Sequence, residues 1–251
     1  MIADKDKQIC KKRLLELANT CYYKGYTTFS DFLNLQEQTI YNSLQSIFPN
    51  VHCTLWGGID TAERKIACFS KEEPDYTQFP ITVLQIAVSQ KKYAENLSHR
   101  DYLGAILHLG LGRSVIGDIM LQEQDAYVCV LSSMAEYICM HLDKIRHTKV
   151  KVTQCKPDFT YEQKYKEIFG TVQSIRLDTM VALAFQHSRN QILEYISSGK
   201  VFVNGISIYT NAYRLKDNDI VSVRGLGKFM YVGEQDLTKK GKWKVLIKKY
   251  I

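Results

Sequence analysis

The side chains best suited to chemistry lie near the carboxyl end of the chain, and they are basic. Arg176 opens a segment whose apolar residues recur at helical spacing as far as Gln186. Ser188 and Arg189 open a second such segment, with Ser188 as its predicted N-cap. A guanidinium group at a helix start lies beside unpaired main-chain amides, and both bind phosphate oxygens. The pattern therefore predicts a phosphate-binding surface.

The distribution of charge along the chain supports this prediction. The 251 residues include 33 Lys and Arg against 26 Asp and Glu, a formal charge of +7. Residues 1–170 are balanced, with 20 residues of each sign, whereas residues 171–251 hold 13 basic and 6 acidic residues. A local excess of this size predicts a polyanionic partner, either nucleic acid or an anionic membrane surface. A solvated basic face without a partner is the simpler alternative.

The elements that must position these basic residues are predicted from the same stretch. Gly199 suits the left-handed residue that ends the second helix. Val201 to Gly205 is typical of a strand followed by a tight hairpin turn, since Asn-Gly is a strong turn signal. Alternation from Asp219 to Val223 and the segment from Lys242 to Ile251 predict further strands. Residues 173–251 are thus expected to form two helices and a small twisted sheet.

The rest of the chain is predicted to form two further regions and a linker. Residues 1–50 contain two amphipathic segments, the second opened by a predicted capping box of Asn34 and Glu37, and are interpreted as a helical subdomain.

Strand-like and helix-like segments alternate over residues 51–155, which indicates an α/β sandwich with one helical face. Ser98 and Asp101 are predicted to cap a helix in this region, and the segments Ile116 to Gln122 and Tyr127 to Leu131 are predicted to form a hairpin. The polar stretch at residues 156–172 is interpreted as the linker to the C-terminal domain. The predicted fold class is α+β.

Several function classes are disfavoured by composition. The first residues are charged, which is unlike a secretory signal, and no apolar run reaches the ~18 residues of a membrane span. The seven cysteines are scattered without a Cys-x-x-Cys pair, so we expect reduced thiols and no metal. No glycine-rich cofactor loop follows a predicted strand. We expect a cytoplasmic protein with no metal, no cofactor and no membrane contact.

Four C-terminal motifs in one order carry a resemblance: Arg176-Leu177-Asp178, Ser188-Arg189, Gly199 to Gly205, and Leu215 to Val223. Together they resemble the small RNA-binding domain named after ribosomal small-subunit protein S-four. The resemblance covers about 50 residues and implies that a helix pair and the following strand grip folded RNA. The expected RNA-binding residues are Arg176, Ser188, Arg189, Lys200 and Asn204, with Arg214, Arg224 and Lys228 widening the patch from the sheet side.

Motifs in the middle of the chain carry a second resemblance. Trp56-Gly57-Gly58, Ala62 to Lys65, His99 to Gly104, and Gly117-Asp118-Ile119 look like the bacterial YlmH family, an RNA-binding family encoded near cell-division genes. The likeness implies an N-terminal helical subdomain, an RRM-like α/β domain and an S-four-type domain, in this order. It also implies rRNA and tRNA as partners, on a large ribosomal subunit carrying a stalled peptidyl-tRNA. We expect a monomer.

A second, weaker RNA surface is predicted in the otherwise neutral region. Its candidate residues are Arg64, Lys65, His99 and Arg100. Salt bridges with Glu63 or Asp101 are an equally good interpretation of these charges. His99 and Asp101 do not face each other at this spacing on a helix, so we do not interpret them as an acid–base pair.

Two alternative functions stay open. Arg-Leu-Asp also occurs at the catalytic aspartate of pseudouridine synthases, so an RNA-modifying enzyme is one alternative. The glycine- and threonine-rich continuation of that motif is missing, and Asp178 is better explained as a first-turn helix acid. A cell-division scaffold on an anionic membrane is the other alternative, but it requires a basic amphipathic helix. We therefore expect a non-enzymatic RNA-binding protein.

Overall fold

The protein is described by a computed structural model covering residues 4–90, 94–155, 161–238 and 241–250. The chain divides into two compact units, an N-terminal unit of Ile2–Tyr161 and a C-terminal unit of Glu162–Ile251. Helices and antiparallel sheets occur in both units, which confirms the predicted α+β class.

The N-terminal unit begins with a small sheet covered by two helices. The sheet has three antiparallel strands in the order β1-β3-β2. Leu14, Leu17, Tyr41 and Phe69 lie in the core between the helices and the sheet. The predicted capping box of α2 is confirmed, because Asn34 and Glu37 cap each other's main-chain amides. The elements are α1 (Asp4–Lys24), β1 (Thr28–Leu33), α2 (Leu35–Ser43), β2 (His52–Trp56) and β3 (Lys65–Ser70).

The prediction of a purely helical subdomain ending at residue 50 is therefore wrong. Thr28–Leu33 is a strand, and it pairs antiparallel with Lys65–Ser70 beyond the predicted boundary. This pairing satisfies the main-chain groups of β1 that face β3, and Phe32 and Leu33 are buried. A strand whose partner is distant in sequence leaves only a weak local signal, so the segment looked like a helix break.

The N-terminal unit continues with a five-stranded antiparallel sheet in the order β5-β6-β4-β8-β7. The succession β4-α3-β5-β6-α4-β8 is the split βαβ arrangement that RRM domains share. The predicted hairpin of β5 and β6 and the Ser98–Asp101 capping box are both confirmed. The elements are β4 (Ile81–Val88), α3 (His99–His108), β5 (Ile116–Gln122), β6 (Asp125–Leu131), α4 (Ser132–His141), β7 (Lys144–Ile145) and β8 (Thr148–Gln154).

Both faces of this five-stranded sheet take part in packing, one of them only in part. Tyr102, Ile106 and Ile138 of α3 and α4 pack on one face. On the other face, Phe32 and Ile66 of the three-stranded sheet contribute to a core that includes Met120, Cys129 and other side chains of the five-stranded sheet. RRM domains stack RNA bases on an open sheet face. In this protein, much of that face belongs to a hydrophobic core, whereas Lys149, Lys151 and Thr153 of β8 are exposed.

The C-terminal unit is a six-stranded antiparallel sheet, in the order β11-β10-β12-β13-β14-β9, with two helices on one face. Leu177, Val181 and Ile192 of the helices pack against inward-facing residues such as Val221 and Phe229. The elements are β9 (Tyr165–Val172), α5 (Leu177–Phe185), α6 (Arg189–Ser197), β10 (Val201–Val203), β11 (Ile206–Ser207), β12 (Asp219–Val223), β13 (Gly227–Leu237) and β14 (Trp243–Tyr250).

The predicted linker at residues 156–172 is wrong over its second half. Tyr165–Val172 forms β9 and pairs with all of β14. The segment is polar because β9 is the edge strand of its sheet and several of its outward side chains are exposed. Residues 156–160 lie outside the described part of the chain.

Candidate nucleic-acid interface

The two predicted helix starts are confirmed. Arg176 is the N-cap residue of α5, with an extended main chain at φ −107° and ψ 148°. Ser188 caps α6, since its hydroxyl accepts from the Gln191 amide while the Gln191 side chain accepts from the Ser188 amide at 3.1 Å. Arg189 is therefore the first residue inside α6. The capping box fixes the backbone direction at the point where this arginine leaves the helix.

A buried carboxylate joins the two arginines. The Nε and Nη2 of Arg176 donate to Oδ1 and Oδ2 of Asp178 at 3.2 and 3.1 Å. The Nε and Nη2 of Arg189 lie 2.9 and 2.8 Å from Asp178 Oδ2. The main-chain amide of Thr179 adds a hydrogen bond to Oδ1 at 2.9 Å. We call this group the arginine clamp: Arg176, Asp178 and Arg189.

The electrostatics of the clamp favour an ionised carboxylate. Burial would raise the pKa of Asp178, but hydrogen bonds from Arg189 and Arg176 and the charges of these arginines outweigh it, so the pKa lies below its usual value. The Asp178 side chain is 0% exposed, whereas those of Arg176 and Arg189 are 32% and 58% exposed. The carboxylate thus orients two guanidinium groups whose outer parts stay accessible to phosphate oxygens.

The same geometry removes the catalytic interpretation of Asp178. A catalytic aspartate needs a carboxylate oxygen within reach of its substrate. Both oxygens of Asp178 are occupied by arginine and main-chain donors, and the side chain is fully buried. The prediction of a plain first-turn helix acid was also incomplete. The Arg-x-Asp spacing at an apolar helix start was the available signal, because that spacing lets the two side chains pair across the first turn.

Arg214 lies beside the clamp. Its main chain forms an isolated antiparallel bridge with Arg176, and the Leu177 amide donates to Tyr213 O at 2.8 Å. The Arg214 side chain is 74% exposed and its Nη2 lies 4.0 Å from Glu234. An exposed pair at this distance is weak, so Arg214 adds positive charge next to Arg176.

Three other predicted residues form a separate group. Lys200 follows α6 and its Nζ lies 5.5 Å from the centre of the Tyr195 ring. The main-chain amide of Arg224 donates to Lys200 O at 2.9 Å, which places these two residues side by side. The third member is Lys228, on β13. Arg189 is the first residue of α6, a helix of nine residues about 13 Å long, and Lys200 lies beyond its other end. The predicted set is therefore two basic patches.

The side chain of Asn204 is used within the fold. It occupies a left-handed position, with φ 48°, in the turn between β10 and β11. Its Nδ2 donates to Asp219 Oδ1 at 2.8 Å and its Oδ1 accepts from the Ile220 amide at 3.0 Å. Both ends of the amide are thus occupied within the fold. The predicted Asn-Gly turn is confirmed, and the side chain of Asn204 holds that turn against β12.

In the N-terminal unit, Arg64 is a structural residue. Its guanidinium donates to the main-chain oxygens of Ile116 and Phe32 at 2.8 Å and of Arg113 at 3.2 Å. Asp118 accepts from the amides of Glu63 and Arg64 at 2.6 and 3.1 Å. Burial lowers the pKa of Arg64 and lowers that of Arg113 to about 10. The predicted RNA-facing role of Arg64 is wrong, because these contacts join the two sheets of the unit.

The other members of the predicted second surface are Lys65, His99 and Arg100. Lys65 begins β3 opposite Leu33 and is half-buried. His99 and Arg100 are exposed in the first turn of α3. Asp101 accepts from the Ser98 amide at 2.8 Å and its other oxygen lies 3.7 Å from Arg146, so its predicted capping role is confirmed.

A cleft of about 510 Å³ in the N-terminal unit bears on the enzyme alternative. Its walls include the aromatic residues Trp56, Tyr76, Phe79 and Tyr161, and Asp60 contributes a carboxylate. This lining suits stacking better than acid–base chemistry. Within the described residues, no group of three His, Cys, Asp or Glu could hold a metal ion. Across both units, no helix among the described residues is long and apolar enough to span a membrane.

The fold of the C-terminal unit and the arginine clamp together indicate the class of protein, which is an RNA-binding protein with an S4-type helix pair. The family model "Putative RNA-binding domain in YlmH" matches residues 74–158, and the S4 domain model matches residues 175–221. A curated relative, "Ribosome-associated protein quality control protein P2" of Bacillus subtilis (strain 168), is 27% identical over 245 residues, covering 96% of this chain and 94% of the relative. These matches support a YlmH-family RNA-binding protein.

A solved structure supports the fold. "Cell division protein ylmH from Streptococcus pneumoniae" superposes with a TM-score of 0.51 and is 19% identical. The match covers 62% of this chain and 94% of that chain. At this identity the similarity concerns the fold.

Proposed function

We propose that this protein binds folded RNA, both rRNA and tRNA, on the large ribosomal subunit and takes part in clearing stalled peptidyl-tRNA. It acts by binding, as a cytoplasmic monomer, and not by catalysis. The observation that carries the proposal is the arginine clamp, in which one buried carboxylate holds two accessible guanidinium groups at adjacent helix starts. The ribosomal assignment is supported by the name of the Bacillus subtilis relative.

The clamp suits a folded RNA for a physical reason. Two guanidinium groups held by one carboxylate have a fixed separation, and each presents donors in a planar fork that matches phosphate oxygens. Less side-chain entropy is then lost on binding than for mobile lysines. Such a rigid pair selects RNA whose phosphates are themselves held at a fixed spacing, as in a folded RNA.

Removing one arm of the clamp tests the proposal. We expect Arg189→Ala to weaken binding to purified large subunits by about tenfold, the effect of one or two lost charge-assisted contacts. The logarithmic salt dependence of binding should fall by about 0.7–0.9 for each lost phosphate contact. Arg13→Ala is the matched control, since Arg13 is an exposed arginine of α1 and lies outside both predicted RNA surfaces. Equal affinity of Arg189→Ala and the native protein would exclude the clamp as the binding surface.

Crosslinking in cells followed by sequencing of the bound RNA tests the partner. The proposal expects rRNA of the large subunit together with tRNA, and loss of both in the Arg176→Ala, Arg189→Ala double variant. Recovery of mRNA alone, or of no RNA, would contradict the ribosomal assignment.

A further inference from the structure

The sheet of the C-terminal unit has a second face that its helices do not cover. The core is built from one side of the strands, with Val221, Val223, Phe229, Tyr231 and Ile247 pointing toward α5 and α6. Side chains alternate across a sheet, so their neighbours in sequence point the other way. The opposite side is the outer face of the sheet.

Aromatic and basic side chains lie together on this outer face. Ser222 lies opposite Phe202 on one side and Lys228 on the other, and Tyr250 lies opposite Tyr165. We call the residues Phe202, Ser222, Lys228, Tyr250 and Tyr165 the outer row. It crosses five neighbouring strands, a distance of about 19 Å at the usual strand spacing.

A cation lies close to each aromatic ring of the outer row. Arg224 lies 5.6 Å from the centre of the Phe202 ring, and the Nζ of Lys228 lies 4.8 Å from that of Tyr250. Lys248 Nζ lies 5.9 Å from the Tyr165 ring and also 3.8 Å from Glu167. Rings and cations are thus mixed within one surface.

Phe169 adds a strongly exposed ring to the same face. Phe169 is on β9, two residues after Glu167, and lies opposite Leu246 of β14. It is 71% exposed. The side-chain direction is fixed by its neighbour Gly170, because a Cβ on Gly170 would lie 2.3 Å from Leu183 of α5. Gly170 therefore faces the helices, and Phe169 faces outward.

We propose that this outer face binds single-stranded RNA, with Phe169 and the outer-row aromatics stacking on unpaired bases and the neighbouring cations binding phosphates. Aromatic platforms flanked by basic side chains are the usual means of binding unpaired nucleotides. A protein partner fits less well, because lysine is depleted in protein–protein interfaces. The inference rests on the proposed RNA-binding function and adds a second surface with a different RNA preference.

Two substitutions of Phe169 separate stacking from apolar packing. Phe169→Leu keeps an apolar side chain but removes the ring, whereas Phe169→Trp keeps and enlarges the ring. For a labelled, unstructured RNA oligonucleotide, we expect affinity to fall about tenfold in Phe169→Leu and to be retained in Phe169→Trp, as for the loss of one base–aromatic stack. Tyr23→Leu is the matched control, an 80% exposed aromatic of the N-terminal unit. The residue is highly exposed, so both variants should fold.

A folded RNA hairpin is the second probe and distinguishes the two proposals. Phe169→Leu should keep the native affinity for the hairpin, and Arg189→Ala should lose it. Native affinity of Phe169→Leu for the single strand would overturn the outer-face proposal and leave the clamp untouched. An equal loss in both Phe169 variants, or crosslinks from this face to ribosomal protein in place of RNA, would also overturn it. A native protein that binds neither probe would overturn both proposals.

Discussion

The two units of the protein use arginine in opposite ways. In the N-terminal unit, Arg64 donates to three main-chain oxygens, so its charge is enclosed by the fold. In the C-terminal unit, Arg176 and Arg189 share one buried carboxylate, and their guanidinium groups keep an accessible side. Carbonyl acceptors on several sides enclose a guanidinium, whereas a carboxylate on one side orients it. The acceptor decides whether an arginine stabilises the fold or is available for an anion.

The two large sheets differ in the same way. The RRM-like sheet has α3 and α4 on one face and the three-stranded sheet on the other. The C-terminal sheet has helices on one face, while its other face carries Phe169, 71% exposed, and the outer row. An RRM-like strand order therefore does not by itself provide an RNA-binding platform, because the platform needs an uncovered face.

Arg64→Ala should have the largest effect on stability. Removing the guanidinium leaves carbonyl oxygens at the junction of the two N-terminal sheets with fewer donors, and we expect a loss of about 3 kcal/mol in the free energy of unfolding of the N-terminal unit. RNA affinity of the folded protein should stay native. The chain has two tryptophans, and Trp56 lies in the N-terminal unit, so urea unfolding of a Trp243→Phe background reports on this unit alone.

Arg100→Ala is the control for this prediction, since an exposed substitution should change stability by less than about 0.5 kcal/mol. A stable Arg64→Ala variant with weakened RNA binding would reverse the assignment and restore Arg64 as a contact residue.

Asp178→Asn should destabilise the C-terminal unit by a smaller amount, about 2 kcal/mol. Breaking a buried ion pair costs more, but the two arginines are partly hydrated and compensate in part. RNA affinity should fall as well, because the amide lacks the negative charge and one of the two acceptor oxygens that hold the guanidinium groups. Trp243 in a Trp56→Phe background reports on this unit, and Asp236→Asn, 69% exposed and 3.7 Å from Lys244, is the control. Native stability of Asp178→Asn would show that the clamp does not hold its arginines.

The pH dependence of stability should also differ between the two units, and we expect this to be the smallest of the predicted effects. The folded pKa of Asp178 lies below its unfolded value of about 3.9. Its contribution is therefore present above the unfolded pKa and is lost as the pH falls through the folded pKa. Urea unfolding near pH 6 and near pH 3 should show a greater acid loss in the native C-terminal unit than in Asp178→Asn. If the native protein and Asp178→Asn lost the same free energy of unfolding between these two pH values, the link between Asp178 ionisation and stability would be contradicted.

Local patterns predicted most of the elements but not how the sheets assemble. The helix starts at Ser98 and Ser188, the capping box at Asn34 and the turn at Asn204 were all predicted from neighbouring residues. β1 and β9 were missed because their partners, β3 and β14, are distant in the chain and neither strand has a strong alternating pattern. The role of Arg64 could not be predicted for the same reason, because its hydrogen-bond acceptors come from segments that are distant in the chain.

The sequence by itself determined the location of the basic excess, the order of the helix–helix–sheet motifs and the identity of Arg176 and Arg189 as candidate RNA contacts. Those features depend on residue types and on short spacings between residues, and both can be determined from the sequence alone. Only the tertiary structure decided that Asp178 anchors both arginines and that Arg64 and Asn204 are occupied within the fold. It also decided that the RRM-like sheet packs over much of both faces, whereas the helices of the C-terminal sheet cover one face only. Burial and partner choice are set by contacts between distant segments, and these exist only once the chain has folded.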